Sequence, residues 1–192
     1  MRLINVHTLE IQYFSGTNIP QYAILSHTWG TKEATFQKWS NKWTRLTHKH
    51  SSGFHKVLAT CKQARRDGLG YAWVDTVCID KSSSAELSEA INSMYTWYEK
   101  ATICYVYLSD VAGSSSKANA DTFDSLRQSR WFTRGWTLQE FIAPENVQFY
   151  TRDWEVLGTK KALAVLISTI AGVHQACLKK ERDYATTALP TA

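Results

Sequence analysis

YAILSHTWG, from Tyr22 to Gly30, changes character halfway: Tyr22 to Ser26 is short and mostly apolar, while His27 to Gly30 is polar and aromatic. Pro20 and Gly30 bound it, and a short apolar run between such breakers describes a buried strand. Upstream, Leu3 to Val6 reads as a short opening strand, joined to this one by a loop punctuated with Gly and Pro. Downstream, a polar, Trp-bearing stretch runs to about His50. GFHKVLATCKQARRDG then carries Val57, Leu58, Cys61 and Ala64 at helical spacing and stops at Gly68. YAWVD (Tyr71 to Asp75) and VCID (Val77 to Asp80) read as a second buried strand running into a loop.

SSSAELSEAINSMYTWYEKA opens with Ser83 and Glu86 in capping-box spacing, and Leu87, Ile91, Met94 and Tyr98 mark one helical face. TICYVYL (Thr102 to Leu108) is a third strand of β-branched and aromatic residues, followed by a mobile Ser/Gly/Ala loop around Gly113 to Lys117. SRWFTRGWTLQEFIAP (Ser129 to Pro144) reads as a helix ended by its proline. Val147 to Tyr150 reads as a strand, and Lys160 to Ala171 as a last helix closed by Gly172. The tail, 179–192, is polar without apolar period and reads as frayed or disordered, which leaves 1–178 as one domain.

Strands alternating with helices predict an α/β fold, a parallel sheet flanked by helices on both faces. Such sheets bind ligands at the carboxyl ends of their strands, and those ends read SHTWG, DTVCIDK and LSD. The chain has no internal repeat, no GxGxxG and no GxxxxGK, so neither a dinucleotide fingerprint nor a Walker phosphate loop is present.

Composition narrows the classes further. The 192 residues suffice for one domain with a sizeable core and not for two. Eight Trp and nine Tyr exceed what packing alone requires, so some rings line a site. An excess of 22 Lys and Arg over 17 Asp and Glu favours anionic ligands. The basic residues are scattered, however, without the arm, finger or zipper of a nucleic-acid binder. Cys61, Cys78, Cys104 and Cys177 form no CxxC pair and follow no secretory signal, which fits reduced thiols in a cytoplasmic protein. The longest apolar run, Ala162 to Val173, falls short of the ~20 residues of a membrane span.

On one continuous helix over Ser129 to Pro144, Leu138, Phe141 and Ile142 share a core face, while Thr133, Trp136, Thr137 and Glu140 share another. Glu140 there is either a carboxylate facing a ligand stacked on Trp136 or a solvated, Arg-paired helix residue. His27 is a general acid/base, a phosphate ligand or a strand-end histidine bonded into its loop. Trp29 is a stacking lid or a packed ring. Asp75 and Asp80 hold ribose hydroxyls or cap turns, with capping favoured for Asp80. They flank Cys78 without the second Cys or His that a zinc site needs, so no metal is expected. Cys78 is a buried thiol or a nucleophile paired with His27. Arg130 and Arg134 stand at the helix start, where an anion is favoured, or are plain surface arginines.

Taken together and in order, YAILSHTWG, YAWVDTVCIDKSSSAELSEAINSMYTWY and SRWFTRGWTLQEFIAP resemble the heterokaryon-incompatibility (HET) domain of filamentous fungi, over about residues 1–175. The resemblance implies a self/non-self recognition effector that triggers cell death. Such a domain is often the N-terminal module of a longer receptor with a NACHT/STAND-type oligomerisation domain, and works as a homo-oligomer.

WTLQEF, Trp136 to Phe141, is also distantly similar to the SRWCLxEL helix of Toll/interleukin-receptor (TIR) domains, with Thr137 at the cysteine position. That similarity implies a flavodoxin-like, TIR-like sheet with family-specific insertions. It implies too that Glu140 is the catalytic residue for cleaving NAD at the nicotinamide–ribose bond, with NAD as substrate and no resident cofactor. Ser26, His27, Trp29, Asp75, Asp80, Arg130, Arg134 and Trp136 would then be substrate-binding. Under the same resemblance, Thr31 to Ser52 and the serine-rich loop are the segments expected to move on activation.

Overall fold

A computed structural model describes residues 1–16, 18–113 and 120–172. The strands are β1 (Arg2–Asn5), β2 (Ile11–Tyr13), β3 (Tyr22–His27), β4 (Tyr71–Trp73), β5 (Ile103–Tyr107), β6 (Val147–Tyr150) and β7 (Val156–Thr159). They form one sheet in the order β2-β1-β4-β3-β5-β6-β7. The central pairs β4/β3, β3/β5 and β5/β6 are parallel. Among these four the spatial order is second, first, third, fourth, which is the flavodoxin order with its switch point between β3 and β5. β3 sits in the middle because all six of its residues are buried, and only a central strand covered on both faces can use such a run.

The expected parallel sheet forms the centre, and antiparallel strands extend it at both edges. β1, β2 and β7 run antiparallel to their neighbours. Hairpin-type returns of this kind need no crossover helix.

Helices α1 (Phe36–Ser40), α2 (Lys42–His48) and α3 (Ser52–Arg66) fill the connection from β3 to β4. The polar stretch before α3 is therefore two capped turns anchored by the buried Trp39, whose indole donates to Leu9 O at 3.1 Å. Gly53 in the first turn of α3 is required by close approach: a Cβ there would lie 2.3 Å from Lys32 O.

After β4 the chain does not continue as a strand. Asp75–Cys78 is a helical turn, α4, closed by Cys78 N donating to Val74 O at 2.8 Å. The apolar VCI that suggested a strand is simply a turn with nearly every side chain buried. α5 (Ser84–Lys100) begins as its capping pattern predicts, with Ser83 Oγ accepting from Glu86 N at 3.3 Å. It leads into β5.

α6 (Ala120–Arg127) precedes the stretch expected to be one helix. That stretch is instead a 3-10 turn, Arg130–Thr133, a break at Arg134–Trp136, and α7 (Thr137–Ile142). The break has visible causes. Asp110 at the end of β5 accepts from Ser129 Oγ and Arg130 N, both at 2.8 Å, while the Arg134 guanidinium turns back to donate to His27 O.

The last helix also starts late. β7 occupies Val156–Thr159 and α8 covers Ala164–Ala171, closed as expected by Gly172 in the left-handed region at φ 64°. Gly113 is tied to Asp153 Oδ2 through its N–H, and the rest of the serine-rich loop and the tail 179–192 lie outside the described residues.

Candidate active site

The loops after β3 and β4 open onto a cavity of about 490 Å³ that α5 and α7 close. Such a volume suits a small organic ligand. Glu140 forms part of its wall but does not lie on a polar helix face as the wheel predicted. α7 buries Thr137, Glu140 and Phe141 and leaves Leu138 47% exposed, so Phe141 keeps its core place and Trp136 its exposed one, while Leu138 and Glu140 trade sides. Once the helix is cut at Gly135 it is too short to be steered by its apolar residues. Its orientation is set by what its inner side meets.

What Glu140 meets is Ser26, at the end of β3. Ser26 Oγ donates to Glu140 Oε2 at 2.5 Å and accepts from Trp131 Nε1 at 2.8 Å. Trp131 is itself packed edge-on against Phe132, Phe141 and Phe149. The carboxyl is thus aimed by a hydroxyl that a core indole holds in place. Burial pushes the Glu140 pKa up to about 7, against the opposing Ser26 bond and Arg134 charge.

A second cluster lies beside it. His27 Nδ1 is 2.7 Å from Lys56 Nζ, and its Nε2 is 2.9 Å from Asp75 Oδ1. An ammonium only donates, so Nδ1 accepts and the ring proton sits on Nε2, directed at Asp75. Asp75 Oδ2 accepts from Trp29 Nε1 at 2.8 Å and lies 3.7 Å from Lys81 Nζ. Burial alone would raise the Asp75 carboxyl, but His27, the Lys81 charge and the Trp29 N–H outweigh it and hold it at about 2. Two carboxyl groups on one cavity are therefore kept in different states, a charged Asp75 and a titratable Glu140.

Glu140, Trp29, Asp75, Arg130, Arg134 and Trp136 line the cavity together. Ser26 and His27 are buried behind it, holding Glu140 and Asp75 respectively. Asp80 is not on the cavity: it accepts from Ser82 N, Ser82 Oγ and Gln37, the turn-capping role its spacing favoured. Cys78 does not meet His27, and burial raises its thiol far above the ordinary range. Cys61, Cys78 and Cys104 are free buried thiols, and no His/Cys/Asp/Glu group among the described residues is arranged to hold a metal.

Three features were not read from the sequence. Lys81 joins the cavity wall, and Leu87, Ile91 and Met94, three of the four residues that mark one face of α5, line it as well. Lys56 is buried and reaches His27, Thr28 O and Glu33. It shares its helical stripe with Thr60 and Ala64, so a wheel extended over α3 would have shown a lysine facing inward.

The sequence profile described as Heterokaryon incompatibility protein (HET) matches residues 22–123, more than half of the chain. The Vegetative incompatibility protein HET-E-1 of Podospora anserina is 46% identical over 165 residues, covering 84% of this chain and 12% of that relative. No solved structure matches. The matched region runs from β3 through α5 and β5 into α6, taking in Ser26, His27, Trp29 and Asp75, and on it the chain belongs to the heterokaryon incompatibility (HET) family.

Proposed function

We propose that this HET domain is a cell-death effector of fungal heterokaryon incompatibility that hydrolyses NAD at the nicotinamide–ribose bond, with Glu140 as its catalytic residue. The observation that carries this reading is the carboxyl of Glu140 at the wall of a nucleotide-sized cavity, buried, aimed by Ser26 and poised near pH 7. Nicotinamide is a cationic leaving group that departs as a neutral molecule, so its exit needs no general acid. The C1′–N1 bond breaks with its electron pair going to the pyridine nitrogen, and the ribose carbon becomes positive.

An ionised Glu140 offsets that charge and then accepts a proton from the water that adds to C1′, as carboxylates do in glycoside cleavage. ADP-ribose, nicotinamide and one proton are the products. Trp136 and Trp29 offer faces for a ring, while Arg130 and Arg134 offer charge for a pyrophosphate. Ser26 and His27 act as positioning residues.

The test is nicotinamide release by the purified chain at high protein concentration. Wild type should release it and Glu140→Gln should reduce release by at least ~100-fold, the scale of losing one charge-stabilising group. Equal release from both proteins would remove Glu140 from the chemistry.

A second reading, killing by partner recruitment within homo-oligomers or a longer NACHT/STAND-type receptor, is favoured by one observation. Ile91, Tyr95, Trp136 and Leu138 are all more than 40% exposed on α5 and the α7 region. It predicts that Glu140→Gln still kills cells, whereas Tyr95→Glu does not.

A further inference from the structure

A second cavity, about 500 Å³, shares Trp29 and Lys81 with the Glu140 cavity and none of its other walls. The proposed hydrolysis makes no use of it. Two buried oxygens among its lining residues have no hydrogen-bond partner, Thr76 Oγ1 and Glu33 Oε2. Thr76 is only 4% exposed, and a buried polar atom left unpaired carries a desolvation cost that a bond to a ligand hydroxyl or amine would recover.

The rest of the lining has the opposite character. Lys32 and Lys38 are exposed at the rim, beside the N-terminus of the 15-residue α3. The first turn of that helix carries no acidic residue, and Ser51 makes no side-chain cap bond, so no side chain of the turn offsets the positive end of its dipole. The shared wall is an indole, with Lys81 Nζ 3.5 Å from the centroid of Trp29.

The geometry points to a nucleoside 5′-phosphate group as the occupant of this cavity. Its phosphate lies between Lys32, Lys38 and the first turn of α3. The sugar hydroxyls reach Glu33 Oε2 and Thr76 Oγ1, and the base packs on Trp29. A bare phosphate would leave most of the volume empty and meet the Glu33 carboxylate with like charge. The group has two sources: a free mononucleotide, or the far half of a dinucleotide whose other half occupies the Glu140 cavity across Trp29. The second source rests on the NAD reading and the first does not.

The experiment titrates AMP into the 192-residue chain while the Trp29 indole N–H, bonded to Asp75, is followed by NMR. AMP should shift that signal saturably. The double variant Lys32→Glu/Lys38→Glu should weaken AMP by about tenfold or more through lost charge-assisted contacts. Thr76→Val should weaken it too without lowering thermal stability, since the hydroxyl has no internal bond to lose. No shift at millimolar AMP, or equal affinity in the charge-reversed protein, overturns the proposal.

Adding NAD separates the two sources. Competition with AMP, weakened by the same variants, assigns the far half of a dinucleotide. NAD binding unaffected by saturating AMP assigns a free mononucleotide. Failure to release nicotinamide while AMP still binds would remove the NAD reading and leave this cavity's assignment standing.

Discussion

Burial raises the Glu140 carboxyl from 4.5 to about 7, although the Ser26 hydroxyl and the Arg134 charge pull it back. The sign of the consequence follows from linkage. A carboxyl whose folded pKa is raised binds its proton more tightly in the native state than in the unfolded chain. Its contribution is fully present below about pH 4.5 and is lost as pH rises through about 7. The span corresponds to about 3 kcal/mol.

Glu140→Gln, which mimics the protonated acid, should therefore unfold at a higher temperature than wild type at pH 8 and at nearly the same temperature at pH 5. Parallel melting curves across that range would contradict the raised pKa. Under the NAD reading kcat/KM moves the other way, rising as pH passes through about 7, because the ionised form is the one that offsets a positive ribose carbon. Asp75, held at about 2, stays charged throughout and adds nothing to either profile.

At the scale of elements, α7 is short enough that its ends decide its stability. Lys160 Nζ donates to Phe141 O at 2.9 Å, Ile142 O at 3.3 Å and Pro144 O at 3.0 Å, supplying a C-terminal cap from the residue just after β7. Lys160→Met keeps the length of the side chain and removes these bonds. It should cost about 3 kcal/mol in urea unfolding, the scale of leaving buried carbonyls unpaired. A similar argument holds at Gly53, where Gly53→Ala would press a methyl into the Lys32–Ala34 backbone and should cost about 1–3 kcal/mol.

These elements also show where sequence is readable. β3, β5 and β6 could be read because uniform apolar runs have few alternatives, and α5 because cap and period agree. The Trp131–Glu140 stretch could not, since the bond that turns Glu140 inward comes from Ser26, 114 residues away, and nothing local displays it. β7 was missed because an edge strand with no fully buried residue carries no apolar run. Of the candidate site, the sequence named six residues that the structure brings to one cavity, Glu140, Trp29, Asp75, Arg130, Arg134 and Trp136, but not the directions in which their side chains turn.

For the molecule as a whole, stability should fall off from the middle of the sheet outward. β3 pairs on both sides and is buried throughout, whereas β2 is a three-residue strand with two exposed positions. Hydrogen exchange should be slowest for the amides of β3 and β5 and at least ~100-fold faster in β2. Uniform exchange across the sheet would show a single cooperative unit instead.

The line from Trp131 through Ser26 to Glu140 runs from the centre of that stable region to the cavity wall. Any loosening that lets the indole leave its place among Phe141 and Phe149 also releases the hydroxyl that aims the carboxyl. Under the NAD reading, a damaged or half-folded copy of the domain thereby disarms itself. For a protein whose proposed output is death of its own cell, that is a fail-safe written into three side chains.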